Sequence, residues 1–449
     1  MRRARYSEEA RQTVHIAMGG FALLLRYLTW WQAALCAGLA ILFNVALLPR
    51  LAGVRLYRPS DLARGYPPGI LLYPVAITAL LFLFADRLDI VAGAWGILAV
   101  GDGLATIVGR AWNSPPLPWN RQKTIAGTVT LAVAGGAAGA FLCWWCRASI
   151  VPPPYLWFSL GAPFAASVVA AAVESIPVKL DDNLSVPFSA AGVLFCLSLV
   201  SEDLVFNALA LASDRILVAV LLNSAAASLG YAARSVSASG ALCGFAIGTI
   251  IFLAAGWQGW ALLFTTFLLA AATSRMGLAR KTSLGIAEAR GGRRGPANAI
   301  ANTGVAAVAA LMSVLTYAHD PAMVAFVAAL AAGGSDTVAS EIGKAWGRRT
   351  YLVSNFARVS PGTSGAMSIE GTAAGVIGAL TLAGIAVALH LVPISVLAAI
   401  VGGATAGALV ESILGATLEP LGILNNDLLN FLNTAVAALV ALTLAGSLG

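Results

Sequence analysis

The chain has 449 residues, of which 59% are hydrophobic and only 10% are charged. Soluble domains carry about 25% charged residues, so this composition excludes a soluble globular protein. The 46 glycines are also typical of membrane helices. The net charge of +7 does not indicate nucleic-acid binding, because the basic residues gather in short links between apolar runs, as the positive-inside rule expects of cytoplasmic loops.

Apolar runs near the roughly 20 residues of a membrane-spanning helix recur about fifteen times, from 12–29 to 428–447. They include 240–255 and 258–274, and two or three of the runs could be re-entrant or broken. Backbone groups in lipid must bond within their own segment, so the runs predict helices. We therefore predict an all-α polytopic membrane protein with about 14–15 transmembrane helices.

The N-terminal arginines that precede the first run favour a cytoplasmic N-terminus. They are Arg2, Arg3, Arg5 and Arg11. No small-residue cleavage site follows the run, so we expect no removable signal peptide.

The first polar interruption is GDGLATIVGRAW at 101–112. On a helix, Asp102, Thr106 and Arg110 share one face. A carboxylate beside a hydroxyl suits Mg²⁺, which binds through few carboxylates plus substrate phosphates, and the cation one turn further could contact phosphate oxygens. The alternative is an intrahelical salt bridge that only neutralises the pair.

Two further stretches of the first half carry polar residues. NRQKTIAGT at 120–128 places Lys123 before Gly127, either as a phosphate clamp or as a snorkelling anchor. VESIPVKLDDNLSVPF at 173–188 contains prolines that predict a broken helix. Its polar candidates are Glu174, Asp181, Asp182 and Asn183. The alternative for this stretch is a solvated acidic loop.

The second half repeats these stretches in the same order. SDTVASEIGKAW at 335–346 echoes the first interruption, SIEGT echoes TIAGT, VESI recurs unchanged, and LNNDL echoes LDDNL. Four ordered echoes predict an internal duplication into two related bundles, 1–215 and 216–449. Repeated bundles also occur in transporters, so that class stays open at this point.

The second copy supplies its own candidates. They are Asp336, Ser340, Glu341, Lys344, Gly371, Glu411, Asn426 and Asp427. Met367 stands where the first copy has Lys123, so another cation must act there. ARGGRRGPANAIAN at 289–302 offers Arg293, Arg294, Asn298 and Asn302, either as a phosphate-binding turn at a helix N-terminus or as a positive-inside loop.

The first half resembles the phytol kinase and dolichol kinase family, which is related to phosphatidate cytidylyltransferase. The resemblance rests on GDGLATIVGR, on KTIAG and on the ESIP and DDNLSVP pieces, with His15 fitting as well. Ala126 stands where the cytidylyltransferases usually have Glu. The second half resembles a family whose plant member is phytyl-phosphate kinase, through GGRRGPANAIANTG, SDTVASEIGKAW and SPGTSGAMSIEGTAAG.

These resemblances imply a bifunctional isoprenoid salvage kinase that uses CTP or another nucleoside triphosphate with Mg²⁺. Asp102 with Glu174 or Asp182 would hold metal in the first half, and Asp336, Glu341, Glu411 and Asp427 would hold it in the second half. Asp181 or Asp182 would be the base for the alcohol.

Expected partners are the bilayer, a long-chain isoprenoid alcohol, its monophosphate and a nucleotide, with homodimerisation left open. We expect a bacterial inner membrane with cytoplasmic sites. A CTP-dependent cytidylyltransferase acting on a lipid phosphate is the main alternative, and a repeat-built transporter is the other.

Overall fold

The computed structural model describes residues 7–51, 56–57, 61–62, 66–286 and 293–446; the predictions for Arg2, Arg3 and Arg5 lie outside them. These residues form helices and one antiparallel hairpin of two short strands. Ten of the described helices are long and apolar enough to cross a membrane. The expectation of an all-α polytopic membrane protein is confirmed.

This number is smaller than the 14–15 expected, partly because two apolar helices, Trp30–Ala46 and Pro68–Leu83, are shorter than a full span. The chain divides into two compact units, Met1–Leu199 and Val200–Gly449. The expected boundary at 215/216 lies instead inside a helix of the second unit, Glu202–Ala232, which packs on the helical segment that follows it.

The described helices of the first unit follow one another in chain order. They are α1 (Glu8–Met18), α2 (Trp30–Ala46), α3 (Leu48–Leu51), α4 (Pro68–Leu83), α5 (Leu88–Ala111), α6 (Ile125–Ser149), α7 (Leu156–Glu174) and α8 (Asp182–Ser198). A 3-10 helix, Gly19–Arg26, lies between α1 and α2.

Helix α5 is the centre of this unit. Within its most apolar stretch 78% of residues are buried, against 39% in α6 and 44% in α7. Its middle widens into a π-helical turn over Ile97–Asp102, a feature often found at functional sites. The first polar motif therefore lies on the most enclosed helix of the unit.

The second unit contains the remaining elements. They are α9 (Glu202–Ala232), α10 (Ala238–Arg275), α11 (Leu278–Ser283), α12 (Pro296–Leu315), α13 (His319–Trp346), β1 (Thr350–Leu352), β2 (Ala366–Ser368), α14 (Ile369–Ala388), α15 (Ile394–Thr417) and α16 (Asn426–Gly446). Thr350 pairs with Ser368 and Leu352 with Ala366 in the antiparallel hairpin.

Helix α13 has the same central position as α5. Within its most apolar stretch 83% of residues are buried, and it packs on α10, α12, α14, α15 and α16. Small residues permit a close approach to α14: a Cβ added at Gly343 would lie 3.8 Å from Gly371 Cα of α14. In the first unit, a Cβ at Gly109 would lie 3.6 Å from Gly127 Cα. The repeated glycines are thus explained by close helix packing.

The two neighbouring apolar runs of the second half form the two arms of α10. The chain leaves helical geometry at Gly256 (φ 67°, ψ −168°). Asn223 of α9 contacts both arms, since its Oδ1 accepts a 3.0 Å hydrogen bond from Trp260 and lies against Gly248. A straight helix would hold residues 248 and 260 about 18 Å apart along its axis, so α10 is a helical hairpin.

Gly256→Ala tests this hairpin, because its backbone occupies a region essentially restricted to glycine. We expect a loss of stability of about 1–3 kcal/mol, measured as a lower melting temperature of the full-length protein in detergent. Gly244→Ala is the matched control in the first arm, where no described atom lies within 4 Å of an added Cβ. Equal melting temperatures for the two variants would contradict the hairpin.

Candidate functional site

Three carboxylates of the first unit meet where α5, α7 and α8 approach one another. Asp102 ends the π-helical turn, Glu174 is the last residue of α7, and Asp182 is the first residue of α8. One oxygen of each lies within 4.8 Å of the other two. Asp102 and Glu174 are buried and Asp182 is half-buried. We call these three residues the first carboxylate cluster.

Lys123 supplies a positive charge to this cluster. Its Nζ donates to Asp182 at 2.9 Å and also to Glu174. Its loop is fixed to the end of α7, because Asn120 Nδ2 donates to the Ser175 carbonyl at 3.1 Å. Burial by itself lowers the pKa of Lys123, but Asp182 and Glu174 outweigh that effect and raise the pKa above its ordinary value. The side chain is therefore an ammonium ion at pH 7.

Helix α1 brings a histidine to the same place. His15 Nε2 lies 3.1 Å from the Leu98 carbonyl oxygen and 3.6 Å from Asp102 Oδ2. Burial lowers the pKa of His15 to about 4. The imidazole is therefore neutral at pH 7 and adds no charge to the cluster.

Glu8 of α1 contacts two arginines. Its Oε1 accepts a 3.3 Å hydrogen bond from Arg11 Nε, and its Oε2 lies 3.4 Å from Arg110 Nη2. Arg110 is thus paired with a carboxylate of another helix. Among the residues described, it forms no ion pair with Asp102, so the intrahelical salt bridge considered above is not the arrangement found.

The other candidates of the first unit have local roles. Asp181 Oδ1 accepts from the backbone N–H and the Nδ2 of Asn183 at 3.0 and 2.7 Å, and so caps α8. Asp181 therefore has a helix-capping role in the structure, whereas the sequence predicted a general base at Asp181 or Asp182. Thr124 caps α6 at the Gly127 N–H, and Thr106 is half-buried one turn after Asp102.

The second unit contains a cavity of about 320 Å³ beside its central helix. Asp336, Ser340 and Lys344 of α13 line it, as do Glu411 and Asn426. The carboxyl groups of Asp336 and Glu411 interact directly. Glu411 Oε2 is buried and has no hydrogen-bond partner among the residues described, which leaves it available to a ligand.

Residues 361–365 of the loop between β1 and β2 close another side of this cavity, together with Ala366 and Met367 of β2. Ser364 Oγ hydrogen-bonds Glu419 and donates to the Gly415 carbonyl at 3.2 Å. Gly365 (φ 69°) permits the contact, since a Cβ there would lie 2.2 Å from Ala416 N. Met367, at the position of Lys123, also lines the cavity. Ser368 caps α14 at the Gly371 N–H, as Thr124 caps α6.

Glu341 is not among the residues that line the cavity. Its Oε2 accepts from Lys281 Nζ at 2.5 Å and its Oε1 from Lys344 Nζ at 2.8 Å. Both oxygens are therefore occupied by ammonium groups. Metal binding by Glu341 therefore stays a prediction, and the partners that the structure gives this carboxylate are the two lysines.

The remaining candidates of the second unit also lie away from the lining of this cavity in the described part of the chain. Asp427 is half-buried in the first turn of α16. Arg293 is exposed, and the Arg294 backbone pairs with residues 235–237. Asn302 Nδ2 donates to the Asn298 carbonyl at 2.9 Å. Residues 289–292 of the expected phosphate-binding turn lie outside the described residues.

The donor atoms of the two units differ in how well they suit Mg²⁺. The first carboxylate cluster offers hard oxygen ligands from three residues at short separations, which fits the ion. Asp336, Glu411 and Asn426 offer oxygen donors in the second unit. No second group of three clustered ligands is present among the described residues, so the second site would rely more on ligands from the substrate.

Sequence reasoning missed Glu8 and Lys281, and it used Arg11 only as a signal of membrane topology. Glu8 follows Ser7, whose side chain caps α1 at the Ala10 N–H. A serine followed by acidic residues is a helix-start signal, which could have predicted α1. Lys281 lies in a basic link and carried no signal of burial.

Comparison with known proteins gives a family for much of the second unit. The model of the family described as integral membrane protein DUF92 matches residues 221–438. Protein VTE6, chloroplastic, of Arabidopsis thaliana is 35% identical over 46% of this chain and 64% of its own length. Probable phytol kinase 3, chloroplastic, of Glycine max is 31% identical over 40% of this chain and 60% of its own length. The chain thus spans less than two thirds of either plant protein.

Coverage is higher for a cyanobacterial relative. An uncharacterized membrane protein of Synechocystis is 34% identical over 44% of this chain and 77% of its own length. No solved structure matches. The family model and this coverage together establish that the chain belongs to the DUF92 family of integral membrane proteins.

Proposed function

We propose that this protein is a membrane-embedded prenol kinase with two sites. The first unit would transfer a phosphoryl group from CTP or another nucleoside triphosphate to a long-chain isoprenoid alcohol. The second unit would phosphorylate the resulting monophosphate to the diphosphate. The observation that carries the proposal is the recurrence of one design: each central helix holds an aspartate two turns before a cation, beside a glutamate from a later helix. The names of the phytol kinase relatives support an isoprenoid alcohol as the acceptor.

Phosphoryl transfer needs little covalent chemistry, but it needs neutralised charge and a positioned acceptor oxygen. A bound Mg²⁺ would supply part of that neutralisation, held by the first carboxylate cluster. Lys123 already donates to two of these carboxylates, and in this proposal it would also contact nucleotide phosphate. Asp182, which is half-buried, is the candidate to accept the hydroxyl proton.

The second site suits an acceptor that is already ionised. A phosphate monoester carries most of its negative charge at neutral pH, so the second step needs less help from a base. The cavity has Met367 in the place of Lys123, and it adds the hydroxyl groups of Ser340, Thr363 and Ser364. The Ser340 hydroxyl and Lys344 could bind phosphate oxygens by donating hydrogen bonds, whereas the hydroxyl groups of Thr363 and Ser364 already donate within the protein.

Two sites on one chain in one membrane would raise the effective concentration of the intermediate. The isoprenoid tail would lie along apolar helix faces and reach the lipid. Basic links between the runs support a cytoplasmic location of both sites.

Asp102→Asn and Asp336→Asn should separate the two activities. We expect Asp102→Asn to lower alcohol phosphorylation at least about 10²-fold and to leave phosphorylation of the prenyl monophosphate near the wild-type rate. Asp336→Asn should do the reverse. Mass spectrometry of the lipid fraction, after incubation with phytol or phytyl monophosphate, Mg²⁺ and CTP or ATP, distinguishes mono- from diphosphate.

Glu202→Gln is the control for both variants, because Glu202 is exposed at the start of α9. If one aspartate substitution abolished both activities in a protein that melts like the wild type, the two-site proposal would be wrong.

Lys123→Met introduces into the first unit the residue that the second unit has at the corresponding position, Met367. It leaves the first carboxylate cluster without its bound ammonium group, so we expect alcohol phosphorylation to fall about 10²-fold or more. Lys123→Arg should retain part of the rate, since the charge is kept. Rates of alcohol phosphorylation for both variants, with monophosphate phosphorylation as the internal control, test this. A fully active Lys123→Met protein would remove Lys123 from the mechanism.

A cytidylyltransferase is the second candidate function, favoured by the likeness of the first polar motif to that class. Product mass decides between them: a nucleotide-linked lipid with release of pyrophosphate would overturn the kinase proposal. A transporter would instead move substrate across proteoliposomes without consuming nucleotide.

A further inference from the structure

We propose that Glu341 is a positioning residue that holds Lys344 in place as the phosphate-binding cation of the second cavity, with Lys281 as its buried counter-charge. The choice of phosphate as the ligand rests on the proposed function. The positioning itself rests on contacts within the second unit.

The geometry separates the three residues into two roles. Lys344 lines the cavity and its side chain is 23% exposed, whereas Lys281 and Glu341 are only 1% and 2% exposed. Glu341 therefore contacts the ligand space only through Lys344. Lys281 is itself fixed, since its Nζ also donates to the Ser274 carbonyl at 2.7 Å.

The charges of this group do not cancel. Two ammonium groups share one carboxylate, so one positive charge remains, and the partly exposed Lys344 is the member that a ligand can reach. A lysine side chain is flexible, and ordering it at a binding site costs conformational entropy. The hydrogen bond to Glu341 already orders Lys344 in the folded protein, so ligand binding does not have to supply this entropy loss.

The first unit has a corresponding group built from different residues. Arg110 occupies the position of Lys344, eight residues after the aspartate of its motif. Its carboxylate partner is Glu8 of α1, which also binds Arg11. Ile107 stands at the position of Glu341. In both units the cation that follows the aspartate is paired with a carboxylate, and that carboxylate also binds a second cation. The carboxylates and second cations come from unrelated positions in the two units. This favours a role of the paired cation at the site over a purely structural role in helix packing.

The alternative is that Glu341 serves only to neutralise Lys281 in the interior. Glu341→Gln alone does not distinguish the two, because it leaves Lys281 buried without a counter-charge and destabilises the protein. The double variant Lys281→Met/Glu341→Gln removes both buried charges and keeps Lys344. A purely structural role predicts wild-type phosphate binding in this variant.

The test measures protection of Lys344 from an amine-acylating reagent by inorganic pyrophosphate, in the full-length protein in detergent. Peptide mass spectrometry reads this lysine separately from all others and needs no turnover. We expect pyrophosphate to protect Lys344 in the wild type. The double variant should need about ten times more pyrophosphate for half-protection, as expected when one charge-assisted hydrogen bond no longer orients the cation.

Kinetics give a second measurement. In the double variant we expect a higher KM for prenyl monophosphate, with alcohol phosphorylation by the first unit unchanged. Glu202→Gln, at an exposed position outside the cavity, should match the wild type in both measurements.

The outcomes separate the two proposals. An unchanged half-protection concentration in a double variant that melts like the wild type would overturn the positioning role, as would an unprotected Lys344 in the wild type. Protection that weakens as expected, in a protein that phosphorylates no prenyl compound, would support the positioning role and reject the proposed function.

Discussion

Carboxylates enclosed among apolar helices are the constraint on which both units depend. A buried anion is strongly unfavourable without a partner, and each unit supplies the partner from a separate segment of chain. Lys123 reaches Glu174 and Asp182 from a loop, and Lys281 reaches Glu341 from a short helix. These pairs fix the loops in place, because moving either segment would expose a charge to the apolar interior.

The same constraint explains why the motif helices are central. α5 and α13 are the most enclosed long helices of their units, and each is packed closely at a glycine by a glycine of the following helix. Because these residues have no side chain, the N-terminus of α6 or α14, capped by Thr124 or Ser368, can approach the polar face of the central helix. The polar motif and the glycines are thus two parts of one packing arrangement, and both recur in the two units.

The copies differ where their ligands are expected to differ. The first has Lys123 between its carboxylates and a neutral His15 nearby. The second has Met367 and a loop rich in hydroxyl groups. The first cluster is compact enough for a metal ion bound mainly by protein, whereas the second cavity keeps a buried oxygen of Glu411 without a partner among the residues described.

Much of this was accessible from sequence, and the failures share a cause. Runs of apolar residues predicted helices because lipid leaves the backbone no alternative, and spacing placed Asp336, Ser340 and Lys344 together. The ion pair of Glu341 was missed, because spacing along one helix does not reveal Lys281, sixty residues earlier in the chain. The helix count differed partly because Trp30–Ala46 and Pro68–Leu83 are shorter than a full span, and partly because the two runs on either side of Gly256 count as one helix, Ala238–Arg275.

The sequence by itself determined the membrane class, the order of the helices and the repeated stripe, since hydropathy and helical period act locally. Only the tertiary structure decided which cation meets which carboxylate. Those pairings join α1 with α5, a loop with α7 and α8, and α11 with α13. Electrostatic partners in an apolar interior are selected by proximity in space, and the packing of the helices sets that proximity.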